Sequence, residues 1–189
     1  MHPVRPWLSP PSPLPQRHPV LTPPSADPVF EAQIGEGSSR WDHHPSVIDN
    51  LKTRARSLGL WNMFLPKGHY KESPGFSNLE YGLMAEWLGR SRTGSEAVNC
   101  AAPDTGNMEV LAKYGNEAQK KEWLVPLMEG VIRSAFLMTE PDVASSDAKN
   151  IQLTMRREGN EYVLNGSVSF LYPWPSDTTG IQCLGGTAG

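Results

Sequence analysis

The chain reads as an α+β fold with segregated elements, a helical block followed by the start of an antiparallel β domain. Three observations predict this. Several stretches between Ser46 and Gly130 repeat apolar residues at three- and four-residue spacing between start and stop signals. After Gly130 the period changes to alternation, with Ile151, Leu153 and Met155 interleaved with polar residues. Helices precede strands and do not alternate with them, which separates this order from a doubly wound parallel sheet.

Taken in order, residues 1–27 are predicted to form a disordered, polyproline-like arm. More than half of the 18 prolines fall at or before Pro28, and no acidic residue precedes Asp27. A transit peptide is also basic and acid-poor, but it forms a helix, which these prolines oppose. Pro13-Leu14-Pro15-Gln16-Arg17 is half of a proline-rich SH3 ligand, with Ser12 where another proline belongs. Helix signals begin after Pro28. Ser46 is a candidate cap for a helix with Val47, Ile48, Leu51, Ala55 and Leu58 on one face, and Gly59 is its stop. Ser77-Asn78-Leu79-Glu80 is a capping box, after which Leu79, Leu83, Met84, Trp87 and Leu88 continue at helical spacing to Gly89, with Trp87 expected in the core. A third helix fits residues 105–114, with Met108, Leu111 and Ala112 on one face. A fourth opens at Asn116, with Gln119 three residues on, and carries Trp123, Leu124, Leu127 and Met128. Pro126 must break or kink it, because the ring removes one helix bond and collides with the preceding turn.

Past Gly130, residues 134–139 are short, apolar and bounded by charge, as in a mostly buried strand, and Pro141 ends any ladder there because it has no N–H. Glu158-Gly159-Asn160 is a turn between alternating segments, and Asn165-Gly166 is a second tight-turn signal. The tail after residue 172 is polar and glycine-rich.

Composition narrows the function classes. A formal charge of −3 argues against a nucleic-acid partner or a polybasic membrane contact. No apolar run approaches membrane-spanning length. Cys100 and Cys183 do not suggest a disulfide framework, which points to a reducing compartment. His43-His44 diverge as neighbours, and with only Asp42 beside them they read as a solvated turn, not a metal site. Asn165-Gly166-Ser167 fits the N-glycosylation pattern, but without a signal peptide it is better explained as a hairpin turn. There is no phosphate-cradling glycine loop and no Ser-His-Asp arrangement.

One stretch makes joint sense as a ligand site. In 136–147 a strand end becomes a platform: Thr139 offers a hydroxyl and a free backbone edge, while Ala144, Ser145 and Ser146 allow close approach and add hydroxyls. Such a platform suits a flat, polar-edged ring. An acidic, serine-containing turn explains the same residues without a ligand.

Met138-Thr139-Glu140-Pro141, the small-residue loop and Asp147 resemble the flavin-binding segment of the acyl-CoA dehydrogenase family. Leu60-Trp61-Asn62 and Ala102-Pro103-Asp104-Thr105-Gly106-Asn107-Met108-Glu109-Val110-Leu111 extend the resemblance, which covers roughly residues 27–166. It implies a helical domain over 28–130 and a partial middle β domain over 131–172. By the same resemblance the C-terminal helical bundle is expected to be absent, and residues 173–189 are expected to form a disordered tail. It also implies FAD as cofactor and a fatty acyl-CoA substrate, dehydrogenated to trans-2-enoyl-CoA as in fatty acid β-oxidation. A homo-oligomer and a mitochondrial location, or else a peroxisomal or cytosolic one, follow from the same resemblance; Thr187-Ala188-Gly189 is not the Ser-Lys-Leu peroxisomal address.

Carried over by position, Phe136, Met138 and Thr139 meet the flavin's pyrimidine edge, Thr139 through its hydroxyl and Met138 through its backbone N–H. Ser145 is counted with them as a cofactor contact, and Ser145 or Ser146 touches the pantetheine or acyl portion of the substrate. Glu140 reads as structural. The pattern departs after Gly166. Where the family has a tryptophan and a hydroxyl residue near flavin N5, Phe170 and Tyr172 stand here, and no catalytic glutamate aligns. Two expectations follow: a dehydrogenase that borrows its missing half, or a truncated, inactive form that at most binds. In either, an apolar surface that the bundle covers in the family is left exposed.

Overall fold

The computed structural model describes residues 23–41, 44–145 and 147–168. Its elements are α1 (Pro23–Ile34), α2 (Ser46–Ser57), α3 (Asn78–Leu88), α4 (Gly94–Ala97), α5 (Asp104–Tyr114), α6 (Glu117–Gln119), α7 (Val125–Met128), β1 (Thr154–Glu158) and β2 (Glu161–Asn165). The helical block and the following hairpin are therefore present in the expected order.

α1 was not expected, since its first residues lie in the stretch read as a proline arm. Pro23 and Pro24 sit in the first turn, where the N–H would be unsatisfied anyway; Pro28 lies inside the helix, where a proline removes one helix bond, and tertiary contacts beside it hold the segment. Asp27 accepts hydrogen bonds from Ser91 Oγ (2.7 Å), Thr93 Oγ1 (3.1 Å) and the Arg92 N–H (3.3 Å). Burial would raise its pKa, but these donors outweigh it and hold the carboxyl below its ordinary value.

α2 begins at Ser46, but Ser46 is not its cap. Pro45 occupies that position and makes no side-chain bond. Gln33 of α1 serves instead: its Oε1 accepts the Val47 N–H at 2.9 Å, and its Nε2 donates to Ser46 Oγ at 3.2 Å. One helix thus satisfies the open donors of the next. The other end follows the sequence signal. Gly59 adopts φ 70°, its N–H bonds Arg56 O and the Leu60 N–H bonds Ala55 O, which together form a Schellman closure.

α3 has the expected capping box, with Ser77 accepting from the Glu80 N–H and the Glu80 carboxylate accepting from the Ser77 N–H. Its apolar residues do not form one buried face. Leu88 is buried and Tyr81 and Met84 pack on the first core cluster, while Leu79, Leu83 and Trp87 form an outward stripe. Trp87 is 54% exposed, so its assignment to the core is corrected. The cause is spacing: residues 79, 83 and 87 lie four apart on one line, rotated away from the line through 81, 84 and 88.

Pro126 neither ends nor sharply breaks its helix. The chain widens into a π turn over Lys120–Leu124, in which the Val125 N–H reaches back five residues to Lys120 O. That wider turn sits where the proline ring would collide with a regular one. Gly130, at φ 68°, then closes the helix: its N–H bonds Leu127 O and the Val131 N–H bonds Pro126 O.

Two clusters make the core. One joins Ala55, Met63, Leu88, Val98 and Cys100; the other joins Met108, Leu111, Ala112, Leu124 and Leu127. Phe64 packs against both. Burial pushes the Cys100 thiol up to about 11 and the neighbouring Tyr81 phenol up to about 12, so both stay neutral.

The hairpin pairs antiparallel from Thr154↔Asn165 to Glu158↔Glu161, with Gly159 at φ 64° in the loop. It starts three residues later than the alternation suggested, because Gln152 and Leu153 direct their N–H groups to a side chain and not to a ladder. Asn165-Gly166 forms no second tight turn. Gly166 is needed there for closeness, since a Cβ on it would lie 2.8 Å from Leu153 Cα. Among the described residues no helix is long and apolar enough to cross a membrane.

Candidate flavin-edge site

Residues 134–139 do not form the buried strand expected of them; Ala135 alone makes an isolated bridge. A strand needs a neighbour, and the one sheet among the described residues pairs β1 with β2 only. Side chains anchor the extended segment instead, and they come from the second resemblance motif. Asp104, 1% exposed, accepts from the Ser134 N–H (2.8 Å) and Oγ (2.6 Å). Asn107 donates to Ser134 Oγ (2.8 Å) and Ala135 O (3.2 Å). Buried polar groups need partners, and these find theirs in the platform's entry.

Charge fixes the same point. Arg133 forms a two-pronged bond to Glu96, both contacts 2.7 Å, and its Nε lies 3.1 Å from Asp104 Oδ2. Lys52 of α2 lies 2.6 Å from Glu96. Burial alone would raise the Glu96 carboxyl, but the Arg133 and Lys52 charges hold it below its ordinary value. α2, α4, α5 and the platform are therefore tied through one partly buried network.

The Leu60-Trp61-Asn62 motif does a different job. Trp61 Nε1 (2.7 Å) and Asn62 Nδ2 (2.9 Å) both donate to Met128 O. Asn99 Nδ2 donates to Asn62 Oδ1 (2.7 Å) and approaches Leu127 O and Met128 O. Asn62 and Asn99 both take φ 55°, a left-handed conformation that asparagine tolerates better than most residues. Together they satisfy the open carbonyls at the end of α7 and aim the chain toward residue 131.

Beyond the anchor, 136–139 presents its groups outward. Phe136 is 56% exposed, and Leu137, Met138 and Thr139 are half-buried. Among the described residues neither the Met138 N–H nor the Thr139 hydroxyl has a hydrogen-bond partner, which leaves two adjacent donors beside an exposed ring. That donor set fits the acceptor-bearing pyrimidine edge of a flavin.

The far side is closed by Glu140. It is 6% exposed, and its carboxylate accepts the Gln152 N–H at 2.9 Å and the Leu153 N–H at 2.8 Å. Its own N–H donates to Ser145 Oγ at 2.6 Å, and Ser145 is 1% exposed. The sequence reading of Glu140 as structural agrees with this geometry, whereas the Ser145 hydroxyl is turned into the loop. Ser146, Phe170, Tyr172, Asp42 and His43 lie outside the described residues. His44 pairs with Asp49 at 3.0 Å, and among the described residues no group of three or more His, Cys, Asp and Glu could hold a metal. Sequence reasoning missed the anchoring role of Asp104 and Asn107. The available signal was two short polar side chains at 104 and 107 whose three- and four-residue spacing to Met108, Leu111 and Ala112 puts them on the same buried helix face.

The family model described as "Acyl-CoA dehydrogenase, N-terminal domain" matches residues 25–131. Acyl-CoA dehydrogenase family member 11 of Gallus gallus is 53% identical over 137 residues, covering 72% of this chain and 17% of that protein. Family member 10 of Mus musculus is 52% identical over 132 residues, covering 68% and 12%. A solved structure described as a "putative acyl-CoA dehydrogenase" from Mycobacterium abscessus superposes with a TM-score of 0.63 at 51% identity, covering 78% of this chain and 35% of that one. The chain thus spans less than a fifth of the length of either curated relative. With the family's N-terminal domain matched over more than half of its 189 residues, this chain belongs to the acyl-CoA dehydrogenase family.

Proposed function

We propose that the chain supplies the helical domain and the flavin-edge segment of an FAD-dependent acyl-CoA dehydrogenase, which converts a fatty acyl-CoA to its trans-2-enoyl-CoA. The observation that carries this is the pair of donors, Met138 N–H and Thr139 Oγ1, that have no partner among the described residues and stand on a segment anchored before and after. Met138 and Thr139 hold the pyrimidine edge, and Phe136 covers the ring system beside it. FAD, when bound, accepts the substrate's β-hydrogen as hydride; the chain's own part is to bind and orient. Ser145 shapes the loop, and a contact to the pantetheine or acyl portion falls to Ser146. The helical domain ends at Gly130 and the β portion opens at Val131. A mitochondrial site of action and assembly with further copies follow from the family reading.

No general base is assigned within this chain. General acid–base catalysis contributes roughly 10²–10⁴ in rate, so the isolated chain is expected to bind FAD with little or no turnover. A measurable rate of enoyl-CoA formation by the purified chain with FAD contradicts that second part. The binding itself is tested by titrating FAD fluorescence. Thr139→Val is expected to weaken affinity about tenfold, as for loss of one hydrogen bond in a shielded site. No retained FAD, or equal affinity in the variant, overturns the reading.

A further inference from the structure

We propose that Glu140 is a positioning residue for the flavin edge, acting through a clasp it forms with Ser145, Gln152 and Leu153; this rests on the flavin reading above. The clasp has two halves. Through its side chain, Glu140 accepts two successive N–H groups, from Gln152 at 2.9 Å and Leu153 at 2.8 Å, and so ties the entry of the hairpin to the platform. Through its backbone, it donates its N–H to Ser145 Oγ at 2.6 Å. That N–H shares one planar trans peptide with the Thr139 carbonyl. Holding it fixes the backbone rotation at Thr139, one residue from the Met138 N–H.

A turn after an extended segment needs no such device, because Pro141 and Asp142 supply local turn chemistry. A carboxylate buried to 6% exposure and bonded twelve and thirteen residues away does something else. Its bonds are charge-assisted and shielded from water, so they restrain more strongly than neutral surface bonds. What they restrain is the exposed pair of donors at 138–139. Ser145 shares this role. Its hydroxyl oxygen accepts inside the loop, so it acts on a ligand through the peptide it holds and not by contact.

The test is a double-mutant cycle on FAD affinity, with amide exchange at Gln152 and Leu153 measured alongside. Glu140→Gln keeps the shape but sets a donating NH₂ against one of the two N–H groups. It is expected to weaken FAD about tenfold in the unsubstituted chain and less than about twofold in the Thr139→Val background, because both changes act on one edge. Faster exchange at Gln152 and Leu153 accompanies it. Ser145→Ala, which leaves the carboxylate clasp in place, is expected to show the same coupling to Thr139→Val and serves if Glu140→Gln fails to fold. Equal losses in the two backgrounds, or no loss, overturn the positioning role while leaving the flavin reading intact. If the unsubstituted chain binds no FAD, that reading falls and this assignment with it. Free exchange of both amides in the unsubstituted chain overturns the clasp itself.

Discussion

Residues 46–135 and residues 136–168 draw on similar side chains but hold them in opposite ways. In the first region apolar side chains fill two clusters joined at Phe64, and the buried polar groups Asn62, Asn99, Asp104 and Asn107 all bond backbone carbonyls or N–H groups of other segments. In the second, Phe136, Tyr162, Val163 and Leu164 are exposed, and among the described residues the two hairpin strands pair only with each other. A two-stranded hairpin alone is marginal in water. Among the described residues, the Glu140 carboxylate ties its entry to the platform, while the approach of Gly166 to Leu153 closes the hairpin's own open end. The contrast separates a packed helical scaffold from the open segment to which the proposed function assigns the flavin edge.

The contrast breaks most easily at Glu96. Glu96→Gln removes the charge between Lys52 and Arg133 and leaves two partly buried cations without it. A loss of about 3–5 kcal/mol is expected in urea unfolding; a loss under about 1 kcal/mol would show that the network does not hold the platform. Acid acts on the same point. The folded pKa of Glu96 is depressed, so its stabilising contribution is present above the unfolded value and is lost as pH falls through the folded one. Asp27 behaves likewise at α1. Acid titration of near-UV circular dichroism is expected to show tertiary structure loosening below the ordinary carboxylate range, less steeply in Glu96→Gln. Next comes Asn99→Ala, which strips its bonds from the end of α7, at about 1–3 kcal/mol by thermal unfolding. Ser77→Ala removes the cap of α3 at about 1 kcal/mol. The smallest effect belongs to the outward stripe. Leu83→Ser is expected to change stability by less than about 0.5 kcal/mol while reducing hydrophobic-dye binding. A larger loss would place that stripe in the core after all.

What the sequence made legible divides along the same line. Local chemistry was readable: the capping boxes at Ser77 and Asn116, the glycine stops at 59 and 130, and the turn at Gly159 all stand where the residue types put them. Contacts between distant segments were not. Gln33 capping α2, Asp27 docking α1 and Asp104 receiving Ser134 each depend on chain brought together from 13 to 66 positions away, for which periodicity carries no signal. Trp87 was misplaced because spacing gives a helix its faces but not the one its neighbours cover. The strand over 134–139 was misread because apolar character and boundaries describe an extended segment whether or not a partner strand lies beside it. Thr139 and Met138 were chosen from the motif, and the structure adds that their donors are unpartnered among the described residues. It also turns Ser145 inward, which no motif states.

The most direct measurement is residue-resolved hydrogen exchange of the whole chain with and without FAD. Exchange is expected to slow at 136–153 on adding FAD, with the amides of α2, α5 and α7 already protected and unchanged. Protection spread evenly over the helices, or no change at 136–153 with FAD bound, would contradict it.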